Sequence, residues 1–179
     1  FGGFQGRALK KNDILTSENH SQCVKTDIRS FNPAWIPVYP DNWSLRVIWG
    51  PQDDHFPADS RACFLDATYK MTTDSDRTGI RLQGPVIRHK PDIQTSIISE
   101  GVIAGSVQIP GDGKPIIILG ETVTGGYRKI ATVISADLPL LGQIKPGDSM
   151  RFTAVSLDEA RQALIAVEEN VRRFEESLS

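Results

Sequence analysis

Three stretches of the chain carry residue types whose spacing can do chemistry. One is Ser99-Glu100-Gly101-Val102-Ile103-Ala104-Gly105-Ser106-Val107-Gln108-Ile109-Pro110, and a second, beyond a turn and an apolar run, is Thr124-Gly125-Gly126-Tyr127. A glycine pair bracketed by hydroxyl groups lets backbone amides approach a ligand with no Cβ in the way, which makes a cradle for an anion or a carbonyl. The plain alternative is a bulge or turn, the commoner use of paired glycines at a strand end. The third stretch, Asp76-Arg77-Thr78-Gly79-Ile80-Arg81-Leu82, alternates charged and apolar residues. On a strand that alternation turns Ile80 and Leu82 to one face and Arg77, Gly79 and Arg81 to the other. The planar guanidinium fork suits carboxylate or phosphate; the bland alternative is a pair of solvated or salt-bridged surface arginines.

These residues need elements to hold them. Val107 to Ile109 and Pro115 to Leu119 read as two strands around Gly111-Asp112-Gly113-Lys114, where glycines supply the positive φ of a hairpin turn, and the second strand is expected to run on into the glycine pair. Leu45-Arg46-Val47-Ile48-Trp49 is a strand closed by Gly50-Pro51. Pro57 to Ala67 has the period of a short helix with Ala62 and Leu65 inward and Phe64 a further candidate. Tyr69 to Thr72, Ile130 to Ser135 and Met150 to Val155 read as strands, and Asp137 to Leu141 as a helical turn. Leu9-Lys10-Lys11-Asn12-Asp13-Ile14-Leu15 and Ile144-Lys145-Pro146-Gly147-Asp148-Ser149-Met150-Arg151-Phe152 share a turn-then-strand pattern. Residues 16 to 44, rich in Ser, Asn, Asp and Pro around Trp35, Tyr39 and Trp43, form a connector that packs aromatics.

Short strands and turns between 45 and 155 point to a mainly β fold, a closed or nearly closed β-barrel with short peripheral helices, and exclude an alternating α/β sheet. The last element is an amphipathic helix. Ser156 caps it with Glu159 completing a capping box, and Leu157, Ala160, Leu164, Val167, Val171, Phe174 and Leu178 recur at alternating spacings of three and four. That seam is expected to be buried against the barrel or a second subunit, with Glu168, Glu169, Arg172, Arg173, Glu175 and Glu176 on the solvated face.

Composition removes several classes of function. With 179 residues, 39% hydrophobic and 23% charged, the chain can build one substantial core or two small ones. A net charge of -2 and a sequence pI near 5.9 give no basic field for a phosphodiester backbone, so no nucleic-acid partner is expected. No apolar run approaches a membrane span and no signal-peptide pattern appears, so the chain is expected in the cytoplasm and off the membrane. Cys23, Cys63, His20, His55 and His89 show no ligand spacing, so no metal is expected. The chain opens Phe1-Gly2-Gly3-Phe4-Gln5-Gly6 without methionine, which reads as a fragment whose preceding part covers the two phenylalanines.

Gly50-Pro51-Gln52, Ser75-Asp76-Arg77-Thr78-Gly79-Ile80-Arg81-Leu82-Gln83-Gly84, the Ser99 to Pro110 stretch and Thr124-Gly125-Gly126-Tyr127 stand in order and at suitable separations for one family. From residue 1 to about 160 the chain resembles the C-terminal portion of the biotin-dependent carboxyltransferase family, which includes the C subunit of bacterial 5-oxoprolinase, Kip-inhibitor antagonist proteins, allophanate hydrolase subunit 2 and part of urea carboxylase. The resemblance implies a cyclophilin-like β-barrel over 45–179, with 1–44 the connector and tail of a missing β-rich half of the same protein. It also implies a partner of the Kip-inhibitor type, similar to the B subunit of 5-oxoprolinase. The 5-oxoprolinase branch is the closer match. Urea carboxylase members tend to carry His-Pro-Ser-Asn and Leu-Gly-Gly-Phe phrases where this chain has Glu100-Gly101-Val102 and Thr124-Gly125-Gly126-Tyr127. The 5-oxoprolinase branch often shows Asp-Arg-Gln-Thr-Thr before the glycines where Gly120-Glu121-Thr122-Val123-Thr124 stands here, with Glu121 a shifted substitute.

For the 5-oxoprolinase branch the resemblance implies ATP-dependent opening of the lactam 5-oxo-L-proline to L-glutamate in a complex. Arg77 and Arg81 then bind phosphate or carboxylate, Thr124, Gly125 and Gly126 cradle developing oxyanion charge, and Glu100, Gln108 and Tyr127 orient the lactam or exchange protons with it. No Walker-type glycine-lysine phrase is present, so ATP belongs to the complex, in an unfamiliar pocket or at the partner interface. Two alternatives stay open: carboxyl transfer to urea or another small amide from biotin carried on another domain, and a regulatory module with no chemistry of its own.

Overall fold

In the computed structural model, which describes residues 4–16, 36, 38–120 and 124–177, the chain divides into two units, Phe1–Ile36 and Pro37–Ser179. In the first, Phe4 and Arg7 form a short bridge, and the Arg7 guanidinium sits over the Phe4 ring and donates to both carboxylate oxygens of Asp13 at 2.8 Å. The turn expected before Ile14 is present, but no strand follows it among the described residues. Phe1, His20, Cys23, Trp35, Glu121 and Leu178 lie outside the described residues.

The second unit runs β1 (Asn42–Trp49), α1 (Ala58–Asp66), β2 (Tyr69–Met71), β3 (Gly79–Gln83), β4 (Ser96–Gly101), β5 (Ser106–Ile109), β6 (Ile116–Ile118), β7 (Thr124–Val133), α2 (Leu138–Leu141), β8 (Ser149–Ala154) and α3 (Leu157–Ser177). Strand order β1-β8-β2-β3-β6-β5-β7 closes on itself through a β1–β7 pairing, so seven strands make the barrel and β4 hangs from β7 outside the ring. All pairings are antiparallel except β1 with β8. Closure leaves no free edge in the ring. It also explains the mainly β reading, because each short branched-residue strand buries one face, with Leu45, Val47, Ile80, Leu82, Val107, Ile117 and Ile130 at the centre. Phe64 of α1 stacks on Phe152 of β8 with centroids 4.5 Å apart, and Tyr69 packs against both rings.

Several local expectations shift. In α1 the inward residues are Ser60 and Phe64, while Ala62 is exposed and Leu65 only partly buried, because the helix meets the barrel by its single aromatic anchor. β6 ends at Ile118; Gly125 and Gly126 belong to the first residues of β7 instead, and β7 reaches back from Val133 well beyond the expected start at Ile130. The Gly111 to Lys114 turn does join β5 and β6, with Val107 opposite Ile117 and Gln108 opposite Ile116; of its two glycines only Gly113 has a positive φ, 72°. β4, which carries Glu100, has no counterpart in the strand pattern read from the sequence, since its residues alternate little and most are exposed.

The capping box of α3 forms as expected, with the Ser156 amide donating to Glu159 Oε2 at 2.7 Å and the Glu159 amide to Ser156 Oγ at 3.2 Å. Among the described residues its apolar seam is at most half-buried. The helix touches the turn at Ser135–Asp137 and β1, and from Ile165 onward every described residue but Phe174 is exposed.

Two buried carboxylates pin the barrel. Asp137 accepts from the Arg46 amide at 2.8 Å and from its guanidinium, and Asp148 accepts from the Trp43 indole at 2.9 Å and the Lys145 amide at 3.1 Å, with the Lys145 ammonium 3.2 Å away. Burial by itself pushes the Asp148 carboxyl up, but the Lys145 amide, the Trp43 indole and the Lys145 ammonium outweigh it and hold the group below the ordinary range. A carboxyl lowered in the folded state stabilises the protein above its unfolded pKa, near 4, and that contribution drains away as pH falls through the folded value. Asp148→Asn is therefore expected to cost on the order of 1 kcal/mol at pH 7 and to show a shallower loss of stability than the native chain on acidification. Urea titrations at neutral and acid pH check this; parallel pH profiles for the two proteins would refute it. Among the described residues no helix is long and apolar enough to cross a membrane, and no cluster of His, Cys, Asp and Glu is placed to hold a metal.

Candidate active site

Strand register sets the site. Arg81 of β3 lies opposite Ile116 of β6, and Ile116 lies opposite Gln108 of β5, so these three share a row on one face of the sheet. The next row, Ile80, Ile117 and Val107, points into the core. A cavity of about 190 Å³ opens over the first row, walled by Asp76, Thr78 and Gly79 on one side and by Thr124, Gly125, Gly126 and Tyr127 on the other. A second cavity of about 480 Å³ shares Arg81, Ile116 and Tyr127 as walls and adds Asp74, Asp112 and Lys114.

Gln108 is only 3% exposed although its row lies on the outer face, because the start of β7 covers it. Its Nε2 donates to the Tyr127 carbonyl at 3.4 Å. Gly125 permits that cover: a Cβ there would run into Gln108 Nε2 and stand 3.2 Å from Cδ and Oε1. The glycine thus serves close approach rather than an unusual φ, and what it admits is the chain's own carboxamide. The Arg81 backbone is held by Ser75, whose Oγ accepts from the Arg81 amide at 2.9 Å, and its guanidinium makes no ion pair among the described residues. Asp76 shapes the opposite wall by accepting from the amides of Thr78 at 2.8 Å and Gly79 at 3.2 Å, which hold its carboxyl below the usual range. Tyr127 stands at the mouth, 41% exposed.

Six of the eight residues singled out from the sequence therefore meet in one cavity: Arg81, Gln108, Thr124, Gly125, Gly126 and Tyr127. The other two do not line it. Arg77 sits in the bend before β3, off the strand face expected to carry it, because pairing with β6 starts only at Gly79. Glu100 lies opposite Gly125 in the β4–β7 register, yet its carboxylate turns to Lys129 Nζ at 2.5 Å and to Gln52 Nε2 at 2.7 Å. Lys129 beside it holds the Glu100 carboxyl below its ordinary value, with Gln52 adding to the effect against partial burial. A model of the carboxyltransferase domain, subdomain A and B, matches residues 1–154. The chain belongs to this carboxyltransferase family.

The carboxyltransferase domain is 32% identical over 163 residues to the C subunit of 5-oxoprolinase from Escherichia coli, covering 90% of this chain and 50% of that protein. It is 34% identical over 167 residues to a putative urea carboxylase of Emericella nidulans, covering 88% of this chain and 13% of that protein. The crystal structure of the Kluyveromyces lactis urea carboxylase matches it with a TM-score of 0.67 at 26% identity, over 75% of this chain and 13% of that one. The chain spans about half the length of the bacterial protein it matches.

Sequence reasoning missed Gln52 and Lys129 as members of a network. Gln52 accepts from the Lys129 amide at 3.0 Å while donating to Glu100, and Lys129 Nζ also reaches the Gly101 carbonyl at 3.3 Å. This network ties β4 and the loop after β1 to β7, and so holds the strand that covers Gln108 in the carboxyltransferase domain. A lysine directly before the strand run Ile130-Ala131-Thr132-Val133 was the available signal, since a buried ammonium requires a partner. Chemically the site offers a cation, a buried donor-acceptor carboxamide, a phenol at the mouth and polar backbone close by, which suits a small ligand with an anionic group and an amide edge.

Proposed function

We propose that this carboxyltransferase domain is the lactam-holding part of a protein like the C subunit of 5-oxoprolinase, in an assembly that opens 5-oxo-L-proline to L-glutamate with hydrolysis of ATP. The observation that carries the reading is the row of Arg81, Ile116 and Gln108 beneath Gly125, where a cation without an ion pair among the described residues and a buried carboxamide flank Ile116. A ring lactam presents its N–H and C=O side by side, the complement of the donor and acceptor of one carboxamide. A ring carboxylate, or a phosphate added to the lactam oxygen, matches the guanidinium fork. The 190 Å³ cavity fits a ligand of this size, being smaller than the roughly 300–1,000 Å³ of drug-sized sites.

In this reading the lactam oxygen attacks the γ-phosphorus of ATP and ADP leaves. A first water then adds to the ring carbon and the C–N bond breaks with the nitrogen taking a proton, which leaves an acyl phosphate; a second water cleaves it to the carboxylate and free phosphate. Arg81 holds the anionic group, Gln108 fixes the amide edge, Thr124 and the amides of Gly125 and Gly126 face the developing oxyanion, and the Tyr127 hydroxyl orients or exchanges a proton. Nucleotide is supplied at the level of the complex. Its partners are a protein like the B subunit of 5-oxoprolinase and a preceding β-rich half to which residues 1–44 form the tail. The 32% identity to the C subunit of a 5-oxoprolinase supports this reading.

The second reading, carboxyl transfer to urea or a similar amide, is favoured by the likeness to fungal urea carboxylases. Carboxybiotin delivered by another domain would supply the carboxyl group, while Gln108 and Arg81 would hold the amide and the carboxylate. Glutamate formation from ATP and 5-oxoproline by the full-length parent protein and its partner subunits, with and without this polypeptide, tests the first reading. Activity that requires the polypeptide supports it. No lactam opening, with urea-stimulated decarboxylation of carboxybiotin instead, replaces it with the second; tight partner binding and no turnover of either kind leaves a regulatory module.

A further inference from the structure

The 190 Å³ cavity does not end at Arg81. Arg81, Ile116 and Tyr127 are also walls of the 480 Å³ cavity beside it, so the two are halves of one cleft over the outer face of the sheet. Pairing of β3 continues beyond Arg81, since the Leu82 amide donates to the Pro115 carbonyl at 3.0 Å, and the continued register brings Lys114 opposite Gln83 and diagonal to Arg81. Diagonal partners on one face stand about 7–8 Å apart. Both cations line the larger half, and neither enters an ion pair among the described residues. The turn that presents Lys114 is pinned. The Ile87 amide donates to the Gly113 carbonyl at 2.9 Å, the Gly113 amide donates to the Pro110 carbonyl at 3.0 Å, and Asp112 accepts from the Lys114 amide at 3.1 Å. Gly113 itself has φ 72°, and a Cβ there would collide with Val86 and the Ile87 carbonyl.

We propose that the larger half of the cleft binds the triphosphate of a nucleoside triphosphate as its magnesium chelate, with the γ-phosphate at Arg81 and the phosphates behind it toward Lys114. The inference rests on reading the smaller half as the lactam site, and it adds where the phosphoryl donor lies: the γ-phosphate ends at the wall where the lactam begins. Two cations set a diagonal apart match a chain of phosphates, the guanidinium as a fork and the ammonium as a point charge. A volume of 480 Å³ falls within the roughly 300–1,000 Å³ of drug-sized sites. Charge selects the chelate. Asp74 and Asp112 line the same half, so two carboxylates balance two cations and a bare polyphosphate meets no net attraction. Magnesium is ordinarily held by one or two carboxylates together with substrate phosphates, and here the ion arrives with the nucleotide as substrate.

Equilibrium dialysis of ATP against the full-length parent protein, without partner subunits, is expected to show saturable binding that weakens when magnesium is removed by a chelator. Lys114→Ala is expected to weaken it about tenfold at an unchanged melting temperature, and Lys114→Arg to restore it. Lys70→Ala is the control for general attraction of anions, because Lys70 lies opposite Gln83 on β2 yet outside the walls of the cavity, and it is expected to leave affinity unchanged. In the reconstituted assembly Lys114→Ala is expected to raise the KM for ATP and not that for 5-oxoproline. No binding, equal affinity with and without magnesium, or equal losses at positions 70 and 114 overturns the proposal. ATP-dependent glutamate formation indifferent to Lys114→Ala also overturns it while leaving the lactam reading in place; Lys114-dependent ATP binding with no lactam opening supports the nucleotide site and removes that reading.

Discussion

Arg81→Ala is expected to lower kcat/KM for ATP-dependent 5-oxoproline opening by roughly a hundredfold in the reconstituted assembly. The guanidinium lies where the two cavities share a wall, and no ion pair among the described residues engages it, so its charge is available to an anionic ligand. Removing it takes away a charge-assisted fork, which a lysine restores only in part because a point charge cannot make two parallel hydrogen bonds; Arg81→Lys should recover about a tenth of the activity on that ground. Arg77→Ala provides the contrast. Arg77 precedes β3 and lines neither cavity, so its loss is expected to leave kcat/KM within a few-fold of the native value. Steady-state glutamate release for the three variants decides the matter, and equal losses at positions 77 and 81 would remove Arg81 from the site.

Gly125→Ala is expected to cost about thirtyfold in the same assay while the barrel stays folded. The new methyl would meet Gln108 Nε2, the far end of a side chain that can swing, so the backbone has no need to move. The carboxamide, however, is buried and held toward the Tyr127 carbonyl, and swinging it away removes the group that reads the amide edge. Because both substitutions act through one contact, Gly125→Ala combined with Gln108→Ala should be no worse than Gln108→Ala alone. Losses that add, with melting temperatures unchanged, would mean that the new methyl disturbs the ligand by a route other than Gln108. A comparable test on the neighbouring network is not equivalent, since Glu100, Gln52 and Lys129 hold β4 to β7 and their removal disturbs the cover itself.

What could be read along the chain was whatever depends on neighbours in sequence. The β5–β6 hairpin follows from glycine-containing turn residues between two apolar runs, the barrel class from many short strands, and the capping box of α3 from Ser156 and Glu159 standing three apart. The family was legible in the order of its glycine and arginine phrases, and six candidate residues stood in three of those phrases. The sequence also held the seam of α3 in full, as an alternation of threes and fours.

Only the tertiary structure decided which of these residues meet. Arg81 and Gln108 are brought into one row because β6 pairs with both β3 and β5, a fact of register between strands far apart in the chain. Glu100 and Arg77 drop out of the cavity for similar reasons: one finds a buried ammonium from β7 that local pattern cannot supply, and the other falls just before the first paired residue of its strand. The glycine pair looked like a cradle by composition, whereas its position across from Gln108 shows that Gly125 makes room for a side chain seventeen residues earlier. Periodicity dictates which face of an element is apolar; it carries no information about what lies opposite. Closing the barrel determined that for the strands.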